Sequence, residues 1–252
     1  MMNTYHILTE YMGTLSPGAV LFSGGMDSTL VLWAAREVWG RAALALTFHT
    51  PTLTDRDRRY AESFLARCGV RSETIPMDNL QVPEVRANRR DRCYHCKKAL
   101  LAKALTLGLP LYDGTNRDDA GIYRPGLRAK EEAGVISPLA DCGLGKEEVR
   151  ECLRELGLGE YVRGSDSCLA TRFPYDHPLC HESLDRVRRA EVLVASLLPP
   201  GATVRCRVKD GFFSVETDKQ YIPILKNEET ALEALGAYEI CQEGFVSGRQ
   251  DK

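Results

Sequence analysis

"GAVLFSGGMDSTLVLWAA", residues 18–35, sets two glycines and two serines around Asp27, between an apolar run and an apolar segment of helical period. Ala19 to Phe22 reads as a buried strand, and Leu30, Val31, Ala34, Ala35 and Val38 recur at helical spacing, so Ser23 to Ser28 is a strand-to-helix turn. Such a turn gathers unpaired backbone N–H groups and the positive end of a helix dipole at one point, which suits a phosphate. Gly24 and Gly25 let the main chain approach the anion, Ser23 and Ser28 can donate hydroxyls, and Asp27 can hold a magnesium ion bound to the phosphates. The lysine and hydroxyl residue that end a Walker loop are missing, so this is not an ordinary P-loop. A glycine turn that merely joins two elements is the bland alternative. Five fixed positions of this kind meet by chance only about once in several thousand chains of this length.

The bulk properties narrow the class. The 252 residues suffice for one large domain, or for a domain plus a smaller one, and bury a core without difficulty. A net charge of −2 gives no global reason to expect nucleic acid or an acidic membrane as partner. No apolar run approaches about 18 residues, and Met1 to Thr14 lacks the charged-then-apolar design of a signal, so a cytoplasmic protein is expected. Nine cysteines (Cys68, Cys93, Cys96, Cys142, Cys152, Cys168, Cys180, Cys206 and Cys241) are many for such a chain, and the odd count argues against a closed disulfide framework. Thiols that do chemistry or bind metal are expected among them.

Outward from the turn, "AALALTFHT" (42–50) is a second buried strand, followed by a helix with Tyr60, Phe64, Leu65 and Cys68 on one face. A short strand at "SETIPM", a helix at "KKALLAKALTLG" and a strand at "PLYDGTN" continue the alternation. The pattern predicts an α/β fold: a doubly wound parallel sheet with ligands at the carboxyl ends of its strands, where both the glycine turn and "DGTNRDD" (113–119) fall. "KEEVRECLRELGLG" (146–159) reads as a helix with Val149, Cys152, Leu153 and Leu156 inward. "YVRGSDSCLATRFPYDHP" reads as an active loop and linker. Then come a helix at "ESLDRVRRAEVLVASLL", two strands in "ATVRCRVKDGFFSVET" joined at Asp210-Gly211, a helix at "NEETALEALGA" and a last strand at "YEICQ". The expected division is therefore 1–164 for the α/β domain, 165–180 for the loop, and 181–252 for a small α+β domain.

The pattern S-G-G-x-D-S resembles that of the PP-loop ATP pyrophosphatases, of the adenine nucleotide alpha hydrolase-like fold. The resemblance implies cleavage of ATP between its α and β phosphates, with AMP placed on a carboxylate or carbonyl oxygen and then displaced by a nucleophile. A second signal is "SDSCLATRFPY" (165–175), where Cys168 stands just before an arginine and a proline turn. Positive neighbours favour a thiolate, so Cys168 is placed as nucleophile or sulfur donor, although a loop cysteine taken alone is more often structural.

Taken together, "SGGMDS", "RCYHCKKAL", "DGTN-DD", "RPGLRA", "SPLA", "CLATRFPY" and "VRCRV" resemble one PP-loop family, the LarE sulfur transferases that mature the nickel-pincer cofactor of lactate racemase, over residues 18 to about 245. The resemblance implies adenylylation of a carboxylate of pyridinium-3,5-biscarboxylic acid mononucleotide and its conversion to a thiocarboxylate. It also implies one of two sulfur sources. In one, the cysteine matching Cys168 gives up its own sulfur and is left as dehydroalanine. In the other, three cysteines hold a [4Fe-4S] cluster bearing an extra sulfide, the fourth iron lacking a protein ligand. Here the candidate ligands are Cys168, Cys180 and Cys206; the alternative is that Cys206 is an inward strand residue and Cys180 a small residue at a helix start.

Cys93 and Cys96 form C-x-x-C without a second pair, so a closed zinc site lacks ligands, and a structural or near-substrate role is expected. His177 and His181, flanking Cys180, are alternative ligands but read better as exposed loop residues. Arg205 and Arg207 alternate with Cys206 and so share a strand face. Forked guanidiniums suit a phosphate, and by resemblance they bind that of the mononucleotide; the alternative is a solvated face. Asn116, Asp118 and Arg172 are further candidates for substrate contact, whereas Arg186, Arg188 and Arg189 read as a solvated helix face.

The expected cofactors are ATP, Mg2+ and the cluster, and the expected partners are a small-molecule mononucleotide and further copies of the chain, family members suggesting trimers or hexamers. The nearest rival is a PP-loop enzyme that thiolates tRNA, disfavoured by the net negative charge and the lack of an added RNA-binding module. Amide-forming relatives would not need Cys168. An ATP-binding module that no longer cleaves its nucleotide is disfavoured by the intact turn.

Overall fold

The computed structural model describes residues 2–119, 125–163 and 166–245. Arg124 of "RPGLRA" and Ser165 of "SDSCLATRFPY" lie outside them. The chain divides into two compact units: Met1–Asn79 with Asp91–Asp166, and Leu80–Arg90 with Ser167–Lys252.

The first unit starts with helix α1 (Met2–Gly13), then β1 (Ala19–Leu21), α2 (Met26–Trp39), β2 (Leu44–His49), α3 (Asp55–Cys68) and β3 (Arg71–Pro76). The chain leaves for the second unit, where Pro83–Arg86 forms the short α4, and returns as α5 (Arg92–Leu105) and β4 (Leu111–Tyr112). Helices α6 (Pro125–Glu132), α7 (Pro138–Asp141) and α8 (Lys146–Glu155) complete the unit. The strands stand in the order β3-β2-β1-β4, and every pair is parallel.

Alternate strand residues point to opposite faces of such a sheet, and both faces are covered here. Val20, Ala45 and Tyr112 join one apolar cluster with residues of α1, α2, α3 and α8. Ala19, Leu44, Leu46, Ile75 and Leu111 join another with Leu101 and Ala104 of α5 and Ala129 of α6. The sheet is therefore doubly wound, as the sequence pattern implies. Because β2 lies on one side of β1 and β4 on the other, the strand order reverses at β1, and the crevice beyond its carboxyl end is where such folds bind ligands.

Helix α1 is an element that the sequence reading leaves unassigned. Its signal is present in the spacing of Tyr5, Leu8, Met12 and Leu15, of which Leu8 and Met12 are wholly buried. The Trp39 indole donates to the Met12 carbonyl at 3.1 Å and ties the end of α1 to the end of α2. Helix α5 begins at Arg92, five residues before the expected start, so Cys93 and Cys96 lie on a helix rather than ahead of one.

In the second unit, α9 (His181–Ser196) buries Leu184, Val187, Ala190 and Val194, a stripe of helical period. Strands β5 (Val204–Lys209) and β6 (Phe212–Thr217) form an antiparallel hairpin. Its turn is Asp210-Gly211, both with positive φ (48° and 89°), the geometry that matches strand twist. The expected helix over 227–237 is split into α11 (Glu229–Leu232) and a 3-10 turn, Glu233–Leu235, and is preceded by a short helix the sequence reading leaves unassigned, α10 (Ile222–Lys226). Ile222 and Leu225 of α10 and Leu232 and Leu235 of the later pieces are all buried. The last strand, β7 (Tyr238–Ile240), runs parallel to β6. Among the described residues no helix is long and apolar enough to cross a membrane.

If α1 is part of the core, Leu8→Ala will lower the unfolding free energy by about 3 kcal/mol, the cost of an emptied leucine site. Urea unfolding followed by circular dichroism checks this; a loss below about 0.5 kcal/mol would mean that the helix is only loosely attached.

Candidate functional sites

The turn after β1 is built by its glycines. Gly24 adopts φ +78°, and a Cβ there would stand 2.7 Å from the Asp57 carbonyl oxygen, so only glycine fits. Gly25 is the N-cap of α2 and brings no side chain to the first-turn amides, leaving them for an anion. Its carbonyl accepts from the Thr29 amide and from the Ser28 and Thr29 hydroxyls, each at 3.0 Å. The Ser23 and Ser28 hydroxyls are 3.2 Å apart, and the Gly25 amide donates to Ser23 Oγ at 3.3 Å. Ser28 is nearly buried, so its first role is to shape the turn. Asp27 opens the helix beside it. One carboxylate next to a phosphate cradle is a donor set that suits magnesium held mainly by phosphate oxygens.

The strand beside β1 ends against this turn. A Cβ on Gly114 would lie 2.5 Å from the Ser28 amide nitrogen, so "DGTN" abuts the first turn of α2. Asp113 is buried and paired with Lys130, and it accepts from Ser137 Oγ at 2.8 Å and from the Thr115 amide and hydroxyl at 3.1 and 2.8 Å. Burial alone would push its carboxyl up; the Lys130 charge and these hydrogen bonds outweigh that and hold it below the usual aspartate value. Lys97 of α5 stands near the same group, its ammonium pushed down by burial first and by the like charge of Lys130 second. Neither lysine was singled out from sequence, because each sits in an ordinary amphipathic helix.

Asn116 is buried, with its side-chain oxygen accepting from the Asp118 amide at 3.0 Å. Asp118 is exposed and accepts from the Lys146 amide at 2.8 Å, the start of α8, and from Arg117. Asn116 thus faces inward near the end of β4, whereas Asp118 serves a helix start.

In the second unit, Cys168 precedes a 3-10 turn, Leu169–Arg172, and is partly exposed. Its carbonyl accepts from the Thr171 amide at 3.0 Å and the Thr171 hydroxyl at 2.8 Å. Arg172 is fully buried. It forks onto Glu191 of α9 at 2.7 and 3.3 Å, and reaches the Ser167 carbonyl and hydroxyl at 2.8 and 3.0 Å. It therefore fixes the backbone that carries Cys168 rather than reaching into solvent.

Asn88, from the stretch inserted between β3 and α5, donates to the Pro174 carbonyl at 2.7 Å and clamps the far side of the same loop. Arg205 is buried, bonded to Ser167 Oγ and 4.8 Å above the Phe245 ring. Arg207 pairs with the buried Glu216 at 3.0 Å and donates to the Thr171 carbonyl at 2.7 Å. Both arginines thus converge on the Ser167–Thr171 turn.

The three thiols meet different surroundings. Cys180 is exposed and caps α9, its sulfur accepting from the Ser183 amide at 3.4 Å; hydrogen bonds from the Ser183 side chain and backbone pull its thiol down. Cys206 is wholly buried on β5, its thiol pushed well up by burial and then by Glu191, whose carboxylate accepts from the Cys206 amide at 3.1 Å. Among the described residues no three His, Cys, Asp or Glu side chains converge where a metal ion could sit. As arranged, Cys168, Cys180 and Cys206 do not form a ligand set, and a cluster on them would require the three to move together. His177 stacks on Phe173 with centroids 5.3 Å apart. Cys96 receives a hydrogen bond from Asn79 at 3.5 Å.

A glycine turn at the reversal point of a doubly wound parallel sheet, feeding a helix N-terminus, is the PP-loop type of α/β domain. No protein-family model matches the chain. It is 31% identical over 244 residues to the pyridinium-3,5-bisthiocarboxylic acid mononucleotide synthase of Lactiplantibacillus plantarum, covering 92% of this chain and 88% of that one. An uncharacterized protein of Synechocystis sp. is 36% identical over 195 residues, 75% of this chain and 73% of its own. Another, of Methanocaldococcus jannaschii, is 30% identical over 217 residues, 83% and 81% respectively. The chain belongs to the LarE family, that of the synthase.

Two outcomes follow from these contacts. Asp113, with its depressed folded pKa, stabilises the protein above the ordinary aspartate value of about 3.9, and that contribution is lost as pH falls through the folded value. In Lys130→Met burial is left dominant, so urea unfolding between about pH 6 and pH 3 should no longer show this acid-side loss. Arg172→Met strands the Glu191 carboxylate and should cost about 3–5 kcal/mol in the same measurement; a loss below about 1 kcal/mol would mean that the pair is dispensable to the loop.

Proposed function

We propose that this protein is an ATP-dependent sulfur transferase that converts a carboxylate of pyridinium-3,5-biscarboxylic acid mononucleotide to a thiocarboxylate, in the making of a nickel-pincer cofactor. The observation that carries this reading is the alignment with a pyridinium-3,5-bisthiocarboxylic acid mononucleotide synthase along nearly the whole chain. The glycine turn at the sheet's reversal point supports the ATP half of the reaction, and a partly exposed thiol on a braced turn supports the sulfur half.

ATP binds with its β and γ phosphates on Ser23–Ser28. Bound at Asp27, Mg2+ supplies charge that offsets the pyrophosphate as it leaves. The first-turn amides of α2 take up charge as the α–β bond opens, and the substrate carboxylate attacks the α phosphorus. Arg205 and Arg207 supply guanidiniums for the phosphate of the mononucleotide, with Asn116 as a further polar contact. Cys168 then attacks the acyl-adenylate and AMP departs; loss of the Cys168 Cα proton to a base or solvent with cleavage of the Cβ–S bond leaves the sulfur on the product as a thiocarboxylate and dehydroalanine in the chain. The alternative source would be a [4Fe-4S] cluster, for which Cys168, Cys180 and Cys206 would have to be brought together. Assembly into trimers or hexamers belongs to the same proposal.

Incubation with ATP, Mg2+ and the dicarboxylate mononucleotide should release AMP and pyrophosphate and yield a thiocarboxylate. Cys168→Ala should still release pyrophosphate but form no thiocarboxylate. After one turnover, mass spectrometry should find Cys168 lighter by hydrogen sulfide. About four irons per chain after anaerobic purification, lost in Cys180→Ala and Cys206→Ala, would assign the sulfur to the cluster instead. Absence of substrate-dependent pyrophosphate release would overturn the reading.

A further inference from the structure

Arg163 lies in "YVRGSD", a stretch without a motif of its own, yet its side chain is 5% exposed and is directed at the phosphate turn. One of its amino groups donates to the Gly24 carbonyl at 3.1 Å and to the Asp57 carboxylate, the latter a buried ion pair. The guanidinium also stacks 4.4 Å over the Tyr60 ring. Asp57 and Tyr60 both belong to α3, the helix whose backbone presses on Gly24.

The consequence is geometric. In a trans peptide the carbonyl and the following N–H point in opposite directions. Holding the Gly24 carbonyl toward Arg163 therefore turns the Gly25 N–H the other way, toward the Ser23 hydroxyl that it contacts at 3.3 Å. That is the side of the turn where Ser23 and Ser28 lie 3.2 Å apart. Glycine neighbours impose little preference on this peptide, and a flip would aim a carbonyl oxygen at the anion in place of an N–H.

We propose that Arg163, held by Asp57, is a positioning residue that locks the Gly24–Gly25 peptide with its N–H facing the β and γ phosphates of ATP. The inference deepens the ATP half of the function proposed above and rests on it. Lysine can keep the charge and a hydrogen bond to Gly24, but its ammonium has no planar face to stack on the Tyr60 ring.

The test is titration calorimetry of ATP, inorganic pyrophosphate and AMP with the wild type, Arg163→Gln and Arg163→Lys. Arg163→Gln should weaken ATP and pyrophosphate about 10-fold or more, the effect of a lost charge-assisted hydrogen bond, and leave AMP within about twofold. Arg163→Lys should recover most of that loss. Unchanged pyrophosphate affinity in Arg163→Gln would overturn the proposal, as would equal weakening of all three ligands, which would mark Arg163 as merely structural. Should the variants not fold, the wild-type Gly25 amide resonance decides: it should move on adding pyrophosphate, and a still Gly25 signal amid shifting neighbours would overturn the idea. A wild type that binds neither ATP nor pyrophosphate would remove the ATP reading itself, and this inference with it.

Discussion

The Ser23–Ser28 turn is squeezed between two neighbours, and that steric constraint shapes the first unit. On one side α3 presses against Gly24, with 2.7 Å between its Asp57 carbonyl and the place of a Cβ. On the other, the end of β4 comes so near that a Cβ on Gly114 would stand 2.5 Å from the Ser28 amide. Only bare backbone fits at both points, so the turn is wedged from two directions while the Ser23 and Ser28 hydroxyls tie it from within. Its amides and hydroxyls are thereby set in one arrangement by the fold itself, the preorganisation on which electrostatic stabilisation of an anion depends.

The same unit manages its charges by pairing them. Asp113 is paired with Lys130, whose charge together with the surrounding hydrogen bonds holds its carboxyl low, and Asp57 is paired with Arg163, where burial still outweighs the guanidinium and pushes the carboxyl up. Removing either cation would leave an uncompensated acid next to a turn built for anions. In the second unit Glu191 plays the corresponding part: it accepts from Arg172 and from the Cys206 amide, linking the turn that carries Cys168 to α9 and β5. A partly exposed thiol on an otherwise irregular segment is thus held by buried ionic and backbone hydrogen bonds rather than by secondary structure.

The sequence alone determined the periods and punctuation of this protein. Apolar runs bounded by glycines identified β1, β2, α2, α3, α8, α9 and the β5–β6 hairpin, because burial on one face or two leaves a repeat that the chain cannot hide. The motif "SGGMDS" located the tight strand-to-helix turn for the same kind of reason: few residues tolerate a positive φ and a close neighbour at once. The spacing also holds the signal for α1, but with no strand before it the segment offers no alternation to read.

What only the tertiary structure decided is which polar groups meet across the chain. Arg163 finds Gly24 across 139 positions, Lys130 finds Asp113 across 17, and Arg205 finds Ser167 across 38. Nothing in local spacing encodes such pairs. The burial of Cys206 likewise depends on α9, which packs on its strand and shuts the thiol from water. Periodicity records whether a side chain is inside; a charge inside is specified by its partner, and the partner is set by the fold.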